Sequence, residues 1–175
     1  KVRDALGPKL PGWLERLGAE VISHEYVTDE LEMVIKAIDF ASQHADLVIT
    51  TGGTADGPRD HIHAALGALN GTFIVDRVRS RPGHPMLLAT IAHENRTVPL
   101  LGLPGNPQSA IVGLMTLGVR VIKNLLGEND LPLEQVRTSS EISAPADFTR
   151  LVLVNLRDGH FEIGEHLGPP TLPGL

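Results

Sequence analysis

The sequence predicts an α/β domain with a mostly parallel sheet, followed by a small all-β element. Three observations carry that reading. Short apolar runs alternate with helical patterns up to about Gly127, two of the runs open into glycine-rich loops, and beyond Gly127 the helical spacing gives way to β-like segments. A chain of 175 residues has room for one domain and a smaller one. The pattern changes near 128–134, so residues 1–130 are assigned to the α/β domain and residues 131–175 to a partial β domain, too small for independent stability.

The elements follow in order. Residues 8–18 begin with prolines and end at Gly18, the asymmetry of a helix from first turn to C-terminal cap. Ala19–His24 reads as a short strand. Asp29-Glu30-Leu31-Glu32 has capping-box spacing ahead of apolar residues at Leu31, Val34, Ile35 and Ile38, which gives a second helix. Asp46–Thr50 is a bounded apolar run, as expected of a parallel strand buried on both faces. Residues 60–69 suit a helix and Thr72–Val75 a strand, completing a βαβα alternation. Met86–Ile91 and Val98–Leu103 read as a hairpin with Glu94-Asn95 at its tip. Pro107 to Leu126 then runs as one long, mostly apolar helix. In the tail, 136–144 and 148–156 are β-like, and Arg157-Asp158-Gly159-His160 is a turn into a further strand. The stretch from Gly168 to Gly174 is expected to be irregular.

Composition removes several classes. With 42% apolar and 21% charged residues the chain is globular rather than disordered. There is no cysteine, which excludes disulfide scaffolds, cysteine-ligated zinc and thiol catalysis within the chain and suits the cytoplasm. A net charge of −6 and 3% aromatics argue against a nucleic-acid partner. No apolar run approaches membrane-spanning length, and no signal-peptide core is present, so neither a membrane nor secretion is expected.

Three loops could carry chemistry. Thr50-Thr51-Gly52-Gly53-Thr54 through Asp60 follows a strand and precedes a helix, the place where glycines let backbone N–H groups approach a phosphate. It matches neither a dinucleotide nor a P-loop signature, and an ordinary strand-to-helix turn explains it equally well. Arg77-Val78-Arg79-Ser80-Arg81-Pro82-Gly83-His84 concentrates positive charge in an acidic chain. If the strand continues through it, Arg77, Arg79 and Arg81 share a face and suit an oxyanion. Pro104-Gly105-Asn106-Pro107 with Ser109 makes a rigid turn with Asn106 as N-cap. Asp29 and Asp60 each stand at a helix start, either as caps or as carboxylates for Mg²⁺ beside a phosphate. His61 and His63, two apart, are poorly placed to share a metal, and no nucleophile elbow occurs.

Taken in order, Asp46-Leu47-Val48-Ile49-Thr50-Thr51-Gly52-Gly53 with Asp60, Arg81-Pro82-Gly83-His84-Pro85, and Gly102-Leu103-Pro104-Gly105-Asn106-Pro107 with Ser109-Ala110 resemble the molybdopterin molybdenumtransferase (MoeA) family over roughly residues 1–128. The resemblance implies a three-layer α/β/α molybdopterin-binding domain that lacks its first strand and two upstream domains, with residues 134–175 as the start of the family's C-terminal β domain. It implies a homodimeric transferase that inserts molybdate into adenylylated molybdopterin and releases AMP in a Mg²⁺-dependent step. Gly52, Gly53 and Thr54, with Thr51, would then cradle a phosphate, Asp60 would hold Mg²⁺ or orient the phosphoanhydride, and Asp29 would join it. Arg81 and His84 stand where many members carry lysine and would bind the anion, and Pro104, Gly105, Asn106, Pro107 and Ser109 would complete the substrate site. The first loop is also similar to molybdopterin adenylyltransferases, and relatives that use such a domain as a non-catalytic scaffold supply a third reading.

Overall fold

The computed structural model describes residues 4–55, 57–129, 132–139, 141–144 and 146–163; Asp56 and the stretch from Gly168 to Gly174 lie outside them. Four strands form the central sheet in the order β1-β5-β4-β2, with β1 at Val48–Thr51, β2 at Thr72–Asp76, β4 at Leu87–Ala92 and β5 at Thr97–Leu103. β1 runs parallel to β5, whereas β4 runs antiparallel to both β5 and β2, so the sheet is mixed. β4 and β5 form the expected hairpin, and a hairpin can only be antiparallel. Among the described residues β1 is also an edge strand, bonded on one side, and its burial falls from buried Val48 to exposed Thr51.

Period-2 alternation divides the core between the two faces. Val48, Leu87, Ala89, Ile91, Val98 and Leu100 point to one face, where they pack against α2 (Leu31–His44) through Ile38 and against α3 (Ile62–Ala68) through Ile62, Ala65 and Leu66. Ile49, Leu101 and Leu103 point to the other face, against α1 (Leu10–Arg16) and α4 (Pro107–Gly113) with Leu114 and Leu117 beyond it. The molecule is therefore the three-layer α/β/α arrangement expected. Gly113 and Gly118 let the last helical run lie close on the sheet, because a Cβ at either would come within 3.0 Å of Leu103 or Leu101. That run is not one regular helix: α4 passes through a π-helical turn, Leu114–Gly118, into α5 (Val119–Leu125). Among the described residues no helix is long and apolar enough to cross a membrane.

Several local expectations are corrected. Residues 19–24 form no strand, because a β-propensity pattern needs a neighbour to pair with, and this segment has no strand pairing among the described residues. The capping box is not made, since Glu30 is the N-cap of α2 and offers no side-chain bond. The strand through 75–79 ends at Asp76, where Arg77 turns to φ 63°; Arg77, Arg79 and Arg81 therefore do not share a strand face. Among the described residues of 136–144 only Thr138 joins a bridge, to Phe161. The tail does contain strands: β6 (Thr149–Arg150) pairs in parallel with β3 (Ser80–Arg81), and β7 (Val154–Arg157) forms the expected hairpin with β8 (His160–Ile163).

At the rim away from the glycine loops, the tip of the β4–β5 hairpin clasps the end of α2. Arg96 Nη2 donates to the carbonyls of Ser42 and Ala45, each at 2.7 Å, and so satisfies helix-end acceptors. Ser42 is fully buried; its hydroxyl donates to Asp39 O at 2.9 Å, which leaves His93 Nε2 as the donor to Ser42 Oγ at 3.0 Å. Arg96→Ala is expected to lower stability by about 1–2 kcal/mol. A fall in the urea midpoint at unchanged slope would show it, and an unchanged midpoint would mean that the clasp contributes nothing.

At the other end of the chain, Asp4 Oδ1 accepts from the N–H groups of Leu6 and Gly7, each at 2.9 Å, in the turn leading into α1. Those backbone bonds hold the carboxyl below its ordinary value. The contribution to stability is therefore present above that value and is lost as pH falls through the lower one of the folded chain.

Candidate functional site

The candidate loops meet at one edge of the sheet because of strand direction. β1 and β5 are parallel neighbours, so their C-terminal ends, Thr51 and Leu103, lie side by side and both chains leave the sheet there. β4 is antiparallel to β5, which brings its first residue, Leu87, opposite Gly102, and β2 ends opposite Leu87 at Asp76. Consequently the glycine loop after β1, the proline turn after β5 and the basic segment between β2 and β4 share one rim.

The first two loops touch. A Cβ on Gly105 would lie 3.5 Å from Gly52 Cα, and Gly52 (φ 80°) and Gly53 (φ 69°) both have the left-handed conformation that favours glycine. Gly52 N–H donates to Leu103 O at 2.8 Å, so this group extends the β ladder and Gly52 serves the loop by shape. Gly53 O accepts from Ile62 N at 3.2 Å, tying the loop to the start of α3. Thr54 is buried with its methyl against Gly102. Thr50 Oγ1, one strand position ahead of Thr51, is buried without a hydrogen-bond partner.

Neither aspartate caps a helix. The N-cap of α3 is His61, and Asp60 Oδ2 instead accepts from Gly57 N at 2.6 Å, closing the 57–60 turn. His61 Nε2 donates to Asp29 O at 3.2 Å, which ties the segment before α2 to the start of α3. His63 turns elsewhere, donating to Asp76 Oδ1 at 2.8 Å and stacking on Phe73, so the two histidines do not converge. Among the described residues no three histidine or carboxylate side chains are grouped to hold a metal. Mg²⁺ does not require such a group, since it keeps several waters and takes one or two carboxylates beside phosphate oxygens. With its loop held by Oδ2, Asp60 fits that mode of binding.

Asn106 is the N-cap expected, its Oδ1 accepting from Ser109 N at 3.1 Å, with Pro107 in the first turn. Pro104 is buried, while Gly105, Asn106 and Pro107 are exposed on the rim.

The basic segment has partners that the sequence did not suggest. Arg81 lies over the ring of Phe148, 4.8 Å from its centroid, and the His84 ring is 5.9 Å from the same ring. β3 and β6 place Arg81 directly beside Arg150, whose Nη1 donates to Ser143 O at 2.7 Å. Like charges at paired positions repel one another, a cost that an anion between them would remove. Phe148 and Arg150 are the residues that sequence reasoning missed. The one available signal was Phe148, an aromatic in a chain nearly without them.

A family model described as "Probable molybdopterin binding domain" matches residues 1–124. A molybdopterin molybdenumtransferase of Staphylococcus aureus is 27% identical over 154 residues, covering 87% of this chain and 36% of the relative. That of Synechococcus elongatus is 39% identical over 113 residues, covering 64% and 28%. The chain thus spans about a third of the length of these curated relatives. Among solved structures, a molybdenum cofactor biosynthesis protein from Pyrococcus furiosus superposes with a TM-score of 0.69 at 19% identity, covering 93% of this chain and 52% of that one. A molybdopterin biosynthesis moeA protein from Pyrococcus horikoshii gives 0.70 at 13%, covering 97% and 38%. The tungsten cofactor synthesizing protein MoaB from P. furiosus gives 0.58 at 22%, covering 74% and 88%. These structural likenesses establish the shared fold.

Proposed function

The chain belongs to the molybdopterin-binding domain family whose model matches residues 1–124, and from that premise we propose that it serves molybdenum cofactor biosynthesis as a transferase domain. In this reading it holds adenylylated molybdopterin, brings molybdate to the dithiolene and releases AMP, working in the cytoplasm as a homodimer. The observation that carries the reading is the convergence of two touching glycine loops and an arginine-rich turn on one sheet edge. Binding across the C-terminal ends of strands is the general habit of α/β sheets.

The residues then have distinct work. Gly52 and Gly105 keep the two loops slim enough for a ligand to lie against main chain, and the N–H groups that follow Gly52, those of Gly53 and Thr54, with the hydroxyl of Thr51, meet phosphate oxygens. Asn106 and Pro107 hold the second loop rigid, Pro104 anchors it in the core, and Ser109 adds a hydroxyl near the same turn. Arg81 and His84, with Arg150 beside them, gather the oxyanion, where the guanidinium forks suit tetrahedral oxygens. Asp60, whose Oδ2 is bonded to Gly57 N, would face the phosphates, and Asp29 would add negative charge to the cluster. Mg²⁺ bound at Asp60 would neutralise phosphate charge as AMP leaves. Rate enhancement on this account is mainly positioning and charge stabilisation.

Calorimetric titration of the chain with adenylylated molybdopterin, with and without Mg²⁺, tests the proposal. Saturable binding that weakens by about tenfold or more without the ion is expected. No binding by a demonstrably folded chain would overturn it, and adenylyl transfer from ATP by the same protein would assign it to the adenylyltransferases instead.

A further inference from the structure

His84 is held in a way that fixes what it can offer an anion. Its Nδ1 lies 2.6 Å from Val78 O, and a carbonyl can only accept, so Nδ1 carries the hydrogen. A second bond, Val78 N to His84 O at 3.0 Å, ties the same two residues through the main chain. The ring is further packed against Phe148. In the neutral imidazole the remaining nitrogen, Nε2, is then a lone-pair acceptor, which repels an oxyanion. Only the imidazolium has an Nε2–H to donate.

We propose that His84 is a specificity-determining residue of the oxyanion site whose carbonyl-locked tautomer makes it bind a tetrahedral oxyanion only on taking up a proton. This rests on the reading of the Arg81–His84 turn as the place where molybdate binds. A lysine would hold the anion throughout the neutral range, whereas this histidine admits it on the acid side and disfavours it on the alkaline side. The charged residues on the segments that touch the ring are Arg81 on its own turn, Asp76, Arg77 and Arg79 flanking Val78, and Asp147 and Arg150 flanking Phe148. α4 faces this turn with the apolar Val112, which lies against Gly83. An oxyanion seated beside Nε2 accepts a hydrogen bond only from the imidazolium, so anion and proton bind together.

The test uses sodium molybdate as probe, with the whole chain and two variants, His84→Lys and His84→Gln. Imidazole ¹⁵N shifts at about pH 8 are expected to show Nδ1 protonated and Nε2 bare. Calorimetry in two buffers of different protonation enthalpy should show proton uptake on binding by the wild type. Affinity should fall roughly tenfold between about pH 6 and about pH 8, while His84→Lys stays tight and flat and His84→Gln stays weak and flat. A flat wild-type profile beside a binding His84→Lys overturns the role of His84 and leaves the oxyanion site standing. An Nε2–H tautomer at high pH overturns the lock. No molybdate binding by any of the three proteins, His84→Lys included, removes the oxyanion site itself and the proposal with it.

Discussion

Asp60→Asn is expected to abolish the Mg²⁺ dependence of substrate binding and to slow AMP release by roughly hundredfold or more, with the fold intact. The choice of asparagine matters. Asp60 Oδ2 accepts from Gly57 N, and an amide oxygen can accept the same bond, so the 57–60 turn survives and the variant removes charge alone. Asp60→Ala removes both, and should add about 1 kcal/mol of lost stability to the same loss of activity. Hard-cation binding depends on carboxylate charge far more than on an amide's partial charge, so the two variants should share the functional defect and differ in stability. AMP release from adenylylated molybdopterin, followed over a range of Mg²⁺ concentrations, decides the matter. Unchanged release and unchanged ion dependence in the asparagine variant would remove Asp60 from the site and leave it as a turn residue.

Gly102→Ala is the largest stability effect we expect from a single methyl group. A Cβ there would meet Leu87 Cγ at 2.7 Å and Thr54 Cγ2 at 2.9 Å. Leu87 and Thr54 are both buried, and Gly102 is paired to β1 on one side and β4 on the other, so neither the strand nor its neighbours can easily shift. Overpacking of this kind costs about 1–3 kcal/mol. Displacing Thr54 also moves the glycine loop, so ligand affinity should fall together with stability. The urea midpoint measures the first effect and the titration described above the second. Shortening Leu87 makes room, so the Gly102→Ala/Leu87→Ala double variant should lose less than the two singles combined. Strict additivity would sink the steric account.

Local patterns in the sequence were enough to find most helices and strands, because period 2 and period 3.6 are properties of the chain itself. The hairpin at 87–103, the Asn106 cap and the turn at 157–160 were legible for the same reason. The strand at 19–24 was misread because its pattern is necessary for a strand but not sufficient, and pairing is decided by what lies alongside. The basic segment failed differently: three arginines at alternate positions share a face only on a continuous strand, and the positive φ at Arg77 breaks it. The π turn at 114–118 left no pattern distinct from an apolar helix.

The residues of the candidate site were readable individually, as glycines after a strand, a proline turn, a basic cluster and two acids at helix starts. By itself the sequence determined the α/β class, the order of the elements and the chemical types available, since each depends on neighbours within a few positions along the chain. The tertiary structure alone decided which of those residues share a rim. Strand order and direction are set by side-chain packing between distant segments, and it is the parallel β1–β5 pair with antiparallel β4 beside it that turns three separate loops into one site. Pairing of β3 with β6 adds Phe148 and Arg150 from nearly seventy residues away, a contact that no spacing in the sequence encodes.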